Sequence, residues 1–438
     1  MISRRGLLIA TGMTMAGSPL AVPVLAKPQV ARRTGESARL HPQDFGAAGD
    51  GASDDTEALT RLAEAANAAA RAGKAVEIHV AGRHAVSRTI TLRPGGAPFS
   101  VIGQGSDTGF VALGDARFDC LAISGGRPLG GATAVSPAAR GSEQLVLASA
   151  AGLKAGDVLL VSSATGYLKD SRACLLEVAG VSGNRVALRH PLPFDIHPAL
   201  GATATRHQLV RGVRVANLAF NGRRASGPAG GLRCAYLHAP FVEGIQTSHF
   251  SRAPIYGQVY GPCLGGRFHD LTDTASGAGG SDSIKFINIT DAQIGEITAN
   301  QSSGIGIGIT FVTGSRMAGL KSIGSAGRGL KLFGSCDNQL NNLVVNRSGK
   351  TGLSISSGSS HNRFIGIEAR GNKESGVWLN GTDNSHNHFT HVTATGNGID
   401  LMVAATAPLV DRGNVFTGQL SGFDKTVIAP ATGTTLPR

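Results

Sequence analysis

A short repeat in the C-terminal half of the chain restricts its fold more than any other feature. Asparagine precedes an apolar position at nearly equal intervals, at Asn338, Asn362 and Asn387. A second set of asparagines recurs at almost the same interval, at Asn346, Asn372 and Asn397. The strands that fit such a short unit cannot pair locally as hairpins, so we predict parallel coils that stack on one another. Asparagines in register then form side-chain ladders at the turns.

Each unit also carries a short triplet in which a middle residue separates two apolar residues. These triplets are Leu353-Ser354-Ile355, Val377-Trp378-Leu379 and Ile399-Asp400-Leu401. Leucine-rich repeats share the period, but their Leu-x-x-Leu-x-Leu consensus is absent. The 62 glycines follow no Gly-X-Y period, which indicates a turn-rich globular chain.

Side chains alternate along a strand, so the middle residue of each triplet is predicted to face solvent. The same register, applied along the chain, selects one outward row: Arg233, Tyr256, Gln258, Tyr260, Lys285, Thr310, Lys331, Trp378 and Asp400. Lys285 and Lys331 are then two coils apart, or about 10 Å at the spacing of neighbouring strands. The sequence therefore predicts a cationic wall along the stack.

The stretch QDFGAAGDGASDDTEAL, from Gln43 to Leu59, precedes a helical pattern that ends at Gly73. Asp54 and Glu57 are spaced as a capping box, which favours a helix start over a metal loop. With VAGRHAVSRTITL and VIGQGS after it, this stretch resembles the entry of the pectate-lyase-like superfamily, which includes polygalacturonase relatives, polysaccharide lyases and phage tailspike depolymerases. The resemblance implies an all-β, right-handed parallel β-helix with an N-terminal capping α-helix.

Composition and texture divide the chain into five predicted segments. Arg4-Arg5, an apolar run and a small-residue site ending at Ala26 predict a twin-arginine export signal over residues 1–30. Residues 41–135 are predicted as the cap and first coils, 136–207 as an inserted small β module, 208–422 as the main coils and 423–438 as a tail. We therefore expect a periplasmic or secreted protein without stable membrane insertion.

Charge points to the class of partner. The chain has 41 basic and 29 acidic side chains, for a formal charge of +12, and an exported basic protein attracts anionic polymers. Few aromatic residues and export argue against nucleic acid, so we expect an acidic polysaccharide. Five cysteines without a Cys-x-x-Cys pair argue against metal clusters and a disulfide scaffold, and are expected as buried thiols.

The predicted reaction is β-elimination by a polysaccharide lyase. Removing the proton next to a uronate carboxylate needs a cation for the carboxylate and a base. Lys285 or Tyr256 is the predicted base, Lys331 holds a carboxylate and Asp282 orients Lys285. The predicted substrate-binding set is Arg233, Gln258, Tyr260, Arg328 and Trp378.

Metal and assembly are less constrained by the sequence. One short loop separates Asp270 and Asp273 from Asp282, and these aspartates make calcium the one candidate cofactor. No metal ligand is assigned. A homotrimer is kept as a candidate assembly.

Two alternative functions stay open. The segments SDSIKF, SGIGIGI and GRGLKLF resemble successive polygalacturonase coils, but only Asp282 and Lys331 match that family's residues. The missing aspartate and histidine argue against an inverting glycoside hydrolase, which needs two carboxylates. A non-catalytic glycan-binding or surface scaffold protein is the other alternative, because solenoids host many functions.

Overall fold

The computed structural model describes residues 37–164, 171–197, 200–250, 256–278, 280–381, 384–404, 413–422 and 426–428. The predicted export signal and most of the predicted tail lie outside the described residues. No helix within the described ranges is long and apolar enough to cross a membrane.

The N-terminal part contains a 3-10 helix, an α-helix and eight short strands. The 3-10 helix is Pro42–Phe45 and the α-helix, α1, is Thr56–Arg71. The strands are β1 (Ala38–Leu40), β2 (Asp50–Asp54), β3 (Val76–His79), β4 (Arg83–Val86), β5 (Ile90–Leu92), β6 (Phe99–Ile102), β7 (Gly109–Ala112) and β8 (Phe118–Ser124).

Helix α1 buries Leu59 and Leu62 on the end of the solenoid core, as the apolar spacing predicts. The predicted capping box is confirmed in one half and wrong in the other: Asp54 Oδ1 accepts from the Thr56 N–H at 3.0 Å, but Glu57 pairs with Arg88 at 2.7 Å, and α1 begins at Thr56. The carboxylate of Asp55 instead accepts hydrogen bonds from the backbone N–H groups of Ala48 and Gly49 at 2.7 and 2.9 Å. The aspartates of this stretch therefore fasten the loop to the cap.

Six antiparallel strands form a separate sheet in the order β10-β13-β12-β11-β14-β9. These strands are β9 (Arg127–Ala134), β10 (Gln144–Val146), β11 (Val158–Ala164), β12 (Ser171–Ser182), β13 (Arg185–Leu188) and β14 (Ala202–Gln208). The sheet has its own apolar core and so forms the inserted β module, with its first strand starting at Arg127. The backbone N–H of Leu175 donates to Thr290 Oγ1 at 3.1 Å, which fastens the module to the solenoid.

The main coils contain twenty further strands. They are β15 (Val213–Asn221), β16 (Ala229–Ala235), β17 (Leu237–His238), β18 (Phe241–Ser248), β19 (Gln258–Tyr260), β20 (Cys263–Leu264), β21 (Arg267–Thr274), β22 (Asp282–Thr290), β23 (Gln293–Asn300), β24 (Ile305–Thr313), β25 (Arg316–Ile323), β26 (Leu330–Phe333), β27 (Gln339–Asn346), β28 (Leu353–Ser356), β29 (Arg363–Arg370), β30 (Ser375–Asn380), β31 (His388–Thr395), β32 (Ile399–Ala404), β33 (Val415–Ser421) and β34 (Thr426–Ile428).

Successive coils contribute strands to two long sheets. Among the described residues, sheet 1 has 15 strands and follows β1-β3-β6-β15-β18-β21-β23-β25-β27-β29-β31-β33, with β2, β4 and β7 beside it. Sheet 2 has 13 strands and follows β5-β8-β16-β19-β22-β24-β26-β28-β30-β32-β34, with β17 and β20 beside it. Strand pairing within both sheets is parallel, for example between β22 and β24. This is the predicted solenoid, with one helix as its cap.

The space between the sheets is filled by apolar side chains that stack coil upon coil. Phe364, Phe389 and Phe416 stack with ring centroids 4.7 and 4.4 Å apart, close to the strand spacing. All five cysteines are free and buried, as expected.

The predicted asparagine ladder is confirmed for one set of asparagines. Asn338 Nδ2 donates to Asn362 Oδ1 and Asn362 Nδ2 donates to Asn387 Oδ1, each at 2.9 Å. The second ladder is partly wrong: Asn372 donates to Asn397 at 2.9 Å, but the position one coil earlier is Ser348, whose N–H donates to Asn372. Asn346 ends β27 and instead accepts from the Arg370 N–H.

Candidate active site on sheet 2

The register of sheet 2 defines one outward row, which we call the outer column. From β16 to β32 it consists of Arg233, Val259, Lys285, Gly308, Lys331, Ser354, Trp378 and Met402. Lys285 and Lys331 therefore lie on the same face two coils apart, as predicted. Arg233, Lys285 and Lys331 of the predicted row share the column, whereas Val259 takes the position between Arg233 and Lys285 that was predicted for Tyr256.

Thr310 and Asp400 are wrong as members of the predicted row. Thr310 pairs with Ile287 and lies beside the column, because the coil after Lys285 is shorter than the assumed period and brings Gly308 into register. Asp400 is buried and accepts a hydrogen bond from Asn397 Nδ2 at 3.1 Å; Met402 takes the column position. A constant period does not follow coils of unequal length.

Gln258 and Tyr260 are also wrong as substrate-binding residues. Both side chains are 0 % exposed, and Val259 between them belongs to the outer column. Tyr260 donates its hydroxyl proton to Gln258 Oε1 at 2.7 Å, and Gln258 Nε2 donates to Thr272 O at 2.8 Å. Hydrogen bonds satisfy these polar groups inside the core, so their burial is tolerated.

Lys285 joins two other predicted catalytic residues. Its Nζ lies 3.4 Å from Asp282 Oδ2 and 3.3 Å from the Tyr256 hydroxyl oxygen. The same ammonium lies 4.8 Å from the centroid of the Tyr256 ring. The structure therefore brings a carboxylate, an ammonium and a phenol together on one edge of sheet 2.

Gly308 makes room for this carboxylate. Asp282 begins β22, and a Cβ added at Gly308 on the next coil would lie 2.4 Å from Asp282 Cγ. Gly308 stands between Lys285 and Lys331 in the outer column. The glycine thus allows the carboxylate to lie between the two lysine positions.

Burial and charge act on Asp282 in opposite directions. Burial raises the pKa of the Asp282 carboxyl above its ordinary value, while Lys285, Lys331 and Arg328 act to lower it. Burial prevails, so the carboxyl is a weaker acid than a free aspartate even beside these cations. A buried carboxyl under opposing influences is typical of functional sites.

Arg328 and Trp378 extend the cluster along the column. The Arg328 guanidinium carbon lies 5.3 Å from the Trp378 ring centroid, which is cation–π geometry. Burial lowers the pKa of Arg328, and the charges of Glu374 and Asp282 oppose that change. Arg328 therefore contacts Trp378, a predicted binding residue, and its charge acts on Asp282, a predicted catalytic residue.

Arg233 lies two coils before Lys285 and makes an ion pair that the sequence did not indicate. Its Nε lies 2.6 Å from Asp119 Oδ2, and a Cβ at Gly230 would lie 2.4 Å from Asp119 Oδ1. These residues, with Arg117 and Tyr256, line a pocket of about 230 Å³. A larger pocket of about 480 Å³ lies on sheet 1 around Arg83 and Arg223, away from the Lys285 cluster. We place the site at the cluster because the chemical groups converge there.

Three buried polar atoms near the outer column have no hydrogen-bond partner among the described residues. They are Asp282 Oδ1, Ser354 Oγ and Trp378 Nε1. Ser354 and Trp378 are neighbours in the outer column, and Asp282 lies three coils before Ser354. Ser354 was not predicted as a site residue, although it is the middle residue of a recognised triplet.

The carboxylates considered for calcium do not converge. Asp270 is exposed, whereas Asp273 is 0 % exposed and accepts a hydrogen bond from Thr247 Oγ1 inside the core. In the part of the chain that the structure describes, no group of three or more His, Cys, Asp and Glu side chains is arranged to hold a metal ion. Asp270 and Asp273, which made calcium a candidate cofactor, therefore lie in different surroundings, one exposed and one in the core, and a calcium requirement stays a prediction.

Comparison with known proteins shows a likeness to solved structures. No family model and no curated protein matches the sequence. The ORF18 protein of Geobacillus virus E2 aligns with a TM-score of 0.57 at 12% identity, over 87% of this chain and 61% of that one. The A-module of mannuronan C-5 epimerase AlgE6 from Azotobacter vinelandii aligns with a TM-score of 0.48 at 14% identity, over 91% of this chain and 100% of that one. The tailspike gp61 of Pseudomonas phage phi297 aligns with a TM-score of 0.46 at 14% identity, over 85% of this chain and 75% of that one. This chain spans 61% of the viral ORF18 protein. At these identities the likeness concerns the fold, and the chain is a right-handed parallel β-helix, as the sequence resemblance implies.

Proposed function

We propose that the protein is a polysaccharide lyase that cleaves an acidic polysaccharide by β-elimination on the outer column of sheet 2. The observation that carries this proposal is the convergence of Tyr256, Lys285 and Asp282 between flanking cations. The outer column runs along the stack of coils, which suits an extended polymer.

Lys331 and Arg328 supply the charge that a uronate carboxylate needs. Both act on the buried Asp282 carboxyl, so the cluster has more positive than negative charge. A substrate carboxylate bound there has its negative charge stabilised as the neighbouring carbon loses its proton. Arg233, with its Asp119 partner, is placed to hold the polymer two coils away.

Tyr256, as its phenolate, takes the proton from the carbon next to the carboxylate; a C=C bond forms as the glycosidic C–O bond breaks, and the resulting phenol returns the proton to the departing oxygen. Lys285 is held by the Asp282 carboxylate, which favours a role for its ammonium in carrying charge. The Tyr256 hydroxyl is 3.3 Å from that ammonium, so phenolate and enolate charges are both stabilised by Lys285. Asp282 acts on the substrate through Lys285 and is a positioning residue.

Glycoside hydrolysis is the second candidate function. The raised pKa of the Asp282 carboxyl is a property of general acids in glycosidases. Hydrolysis also needs a second carboxylate about 5 to 10 Å away. The groups that converge on Asp282 are a phenol and three cations, Tyr256, Lys285, Lys331 and Arg328, which favours elimination.

The test is to incubate the purified protein with a panel of uronate polysaccharides and to follow ultraviolet absorbance from unsaturated product ends. Lys285→Ala and Tyr256→Phe are each expected to lower the rate by about 10²- to 10⁴-fold, the usual contribution of an acid–base group. Lys74→Ala, which changes an exposed lysine just after α1, is the matched control and should keep the wild-type rate.

The alternatives give different results in the same assay. New reducing ends without ultraviolet absorbance would establish hydrolysis in place of elimination. Binding without any product, unchanged by Lys285→Ala, would establish a non-catalytic binding protein.

A further inference from the structure

Sheet 1 carries a second outward row, and arginine occupies every second coil of it. From β15 to β31 the aligned residues are Arg214, Phe241, Arg267, Gln293, Arg316, Gln339, Arg363 and His388. We call Arg214, Arg267, Arg316 and Arg363 the arginine column. All four arginines are exposed.

The first two arginines of the column are held by neighbours. Arg214 Nη2 lies 2.7 Å from Glu243 Oε1. The guanidinium carbons of Arg214 and Arg267 lie 5.5 and 5.8 Å from the ring centroid of Phe241, which stands between them. Aromatic stacking orients both guanidinium groups, and the Glu243 carboxylate offsets the charge of Arg214.

The surface around the last two arginines has more positive than negative charge, although the neighbouring strand β23 contributes the exposed carboxylate of Glu296, which lies over Gly319 of β25. Strands β25, β27, β29 and β31 carry the cations Arg316, Lys321, Arg363 and Arg370. The acidic residue on these four strands is Glu368, and its Oε1 lies 3.2 Å from Arg370 Nε. Glu368 is therefore engaged away from Arg316 and Arg363.

The alternation sets the spacing of the charges. Neighbouring strands lie about 4.8 Å apart, so arginines on alternate coils lie about 10 Å apart along the stack. Like charges on adjacent strands destabilise a sheet, and the uncharged coils between them avoid this. A surface evolved only for solubility usually mixes both signs. A row of one sign in regular steps is better suited to a polymer with regularly spaced negative charges.

We propose that the arginine column is a second binding site for a linear acidic polysaccharide that has its acidic groups on alternate sugars. The polymer lies along the stack on sheet 1, whereas the proposed reaction takes place on sheet 2. The column thus holds a long chain to the protein without touching the reacting atoms. The inference uses the same class of polymer as the proposed function but does not depend on the reaction.

The experiment measures binding to immobilised glycans over a range of salt concentrations. The probes are hyaluronan, which has a carboxylate on alternate sugars, polygalacturonate, which has one on every sugar, and neutral dextran. Arg316→Gln with Arg363→Gln is the column variant. Arg71→Gln with Arg185→Gln, two exposed arginines elsewhere, is the matched control with the same change of net charge.

The column variant is expected to bind hyaluronan about fivefold more weakly, equivalent to about 1 kcal/mol. Its affinity should also depend less steeply on salt than that of the wild type, because fewer counterions are released. The control pair should bind as the wild type does. Equal weakening in both pairs, weakening on polygalacturonate alone, or no binding of wild-type protein to hyaluronan would overturn the proposal.

The two proposals fail in different ways. If the column is separate from the reaction, the column variant turns over a short oligosaccharide at the wild-type rate. Its loss of hyaluronan affinity also multiplies with that of Lys285→Ala, as independent sites require. If the protein binds hyaluronan through the arginine column but turns over no polymer, the lyase proposal is contradicted and the proposed binding site stands. If the protein turns over the polymer and the column variant binds hyaluronan as the wild type does, the proposed binding site is contradicted and the lyase proposal stands.

Discussion

The carboxylate of Asp282 occupies the space that a side chain at Gly308 would fill, since a Cβ there would lie 2.4 Å from Asp282 Cγ. Asp119 and Gly230 have the same relationship, with a Cβ at Gly230 lying 2.4 Å from Asp119 Oδ1. In both cases a glycine of the next coil admits an acidic group among cations of sheet 2. The positions of these glycines are therefore part of the site.

Gly308→Ala tests this relationship. The backbone at Gly308 is not in the left-handed region, and the three nearest atoms that an alanine Cβ would meet all belong to the Asp282 carboxylate. We expect a loss of stability of about 1–3 kcal/mol from overpacking and a clear fall in activity. Adding Asp282→Ser should restore stability but not activity, as measured by urea unfolding and the product assay. Gly180→Ala, with no atom within 4 Å, is the control; equal behaviour of the two glycine variants would contradict the proposed role.

Trp378 is the one tryptophan of the sequence, so its fluorescence reports directly on the outer column. Titration with an acidic oligosaccharide that is bound there should change the emission, because a ligand alters the contact with Arg328. Trp378→Ala should raise KM about fivefold with little change in kcat, while Trp378→Phe, which keeps a ring, should change KM less. A fall in kcat at constant KM would place Trp378 in the chemistry instead.

Asn362 stabilises the solenoid through both coils that it contacts. Its Nδ2 donates to Ser335 O and to Asn387 Oδ1, each at 2.9 Å. Asn362→Ala removes four hydrogen bonds, two that Asn338 donates to Asn362 Oδ1 and two that Asn362 Nδ2 donates, and each is worth about 0.5–1.5 kcal/mol. We expect the free energy of unfolding in urea to fall by at least about 3 kcal/mol. Gln293→Ala, at an exposed position, should change it by less than about 0.5 kcal/mol.

Asp273 makes stability depend on pH. Burial raises the pKa of its carboxyl from 3.8 to about 6, although hydrogen bonds from Thr247 and Ser276 oppose the change. A raised pKa in the folded state means that the folded protein holds this proton more tightly than the unfolded chain does. The associated stability is present below pH about 4 and is lost as pH rises to about 6.

Asp273→Asn should remove this dependence. The free energy of unfolding of the wild type is expected to fall between pH 4 and pH 7 by about 3 kcal/mol more than that of the variant. Urea unfolding at several pH values measures the difference. Parallel pH profiles of the two proteins would show that Asp273 titrates as an ordinary carboxyl.

The stacked architecture was predictable because its signals recur in the sequence. Asn338, Asn362 and Asn387 each satisfy backbone groups of a neighbouring coil, so the same residue is needed once per coil. The failure at Asn346 has a simple cause. On that coil the ladder position is occupied by a serine, Ser348. A search for repeated asparagine therefore selected the wrong residue.

The site was predictable in the relative position of its two lysines but not in the residues between and before them. Lys285 and Lys331 were placed correctly relative to each other, but the assumed period selected Thr310 instead of Gly308. At β19 the polar side chains of Gln258 and Tyr260 led to a prediction of exposure that the structure contradicts. Gln258 and Tyr260 instead satisfy each other in the core, with Thr272 O as a further acceptor.

The sequence by itself determined the solenoid and the face that carries Lys285 and Lys331, because short-range alternation and a recurring period are properties of the chain alone. Only the tertiary structure decided that Asp282 lies over Gly308, that Asp119 holds Arg233 and that arginines line up on alternate coils of sheet 1. These relationships join residues through coils of unequal length. Which residues meet depends on the packing of each turn, and no fixed spacing in the sequence records that packing.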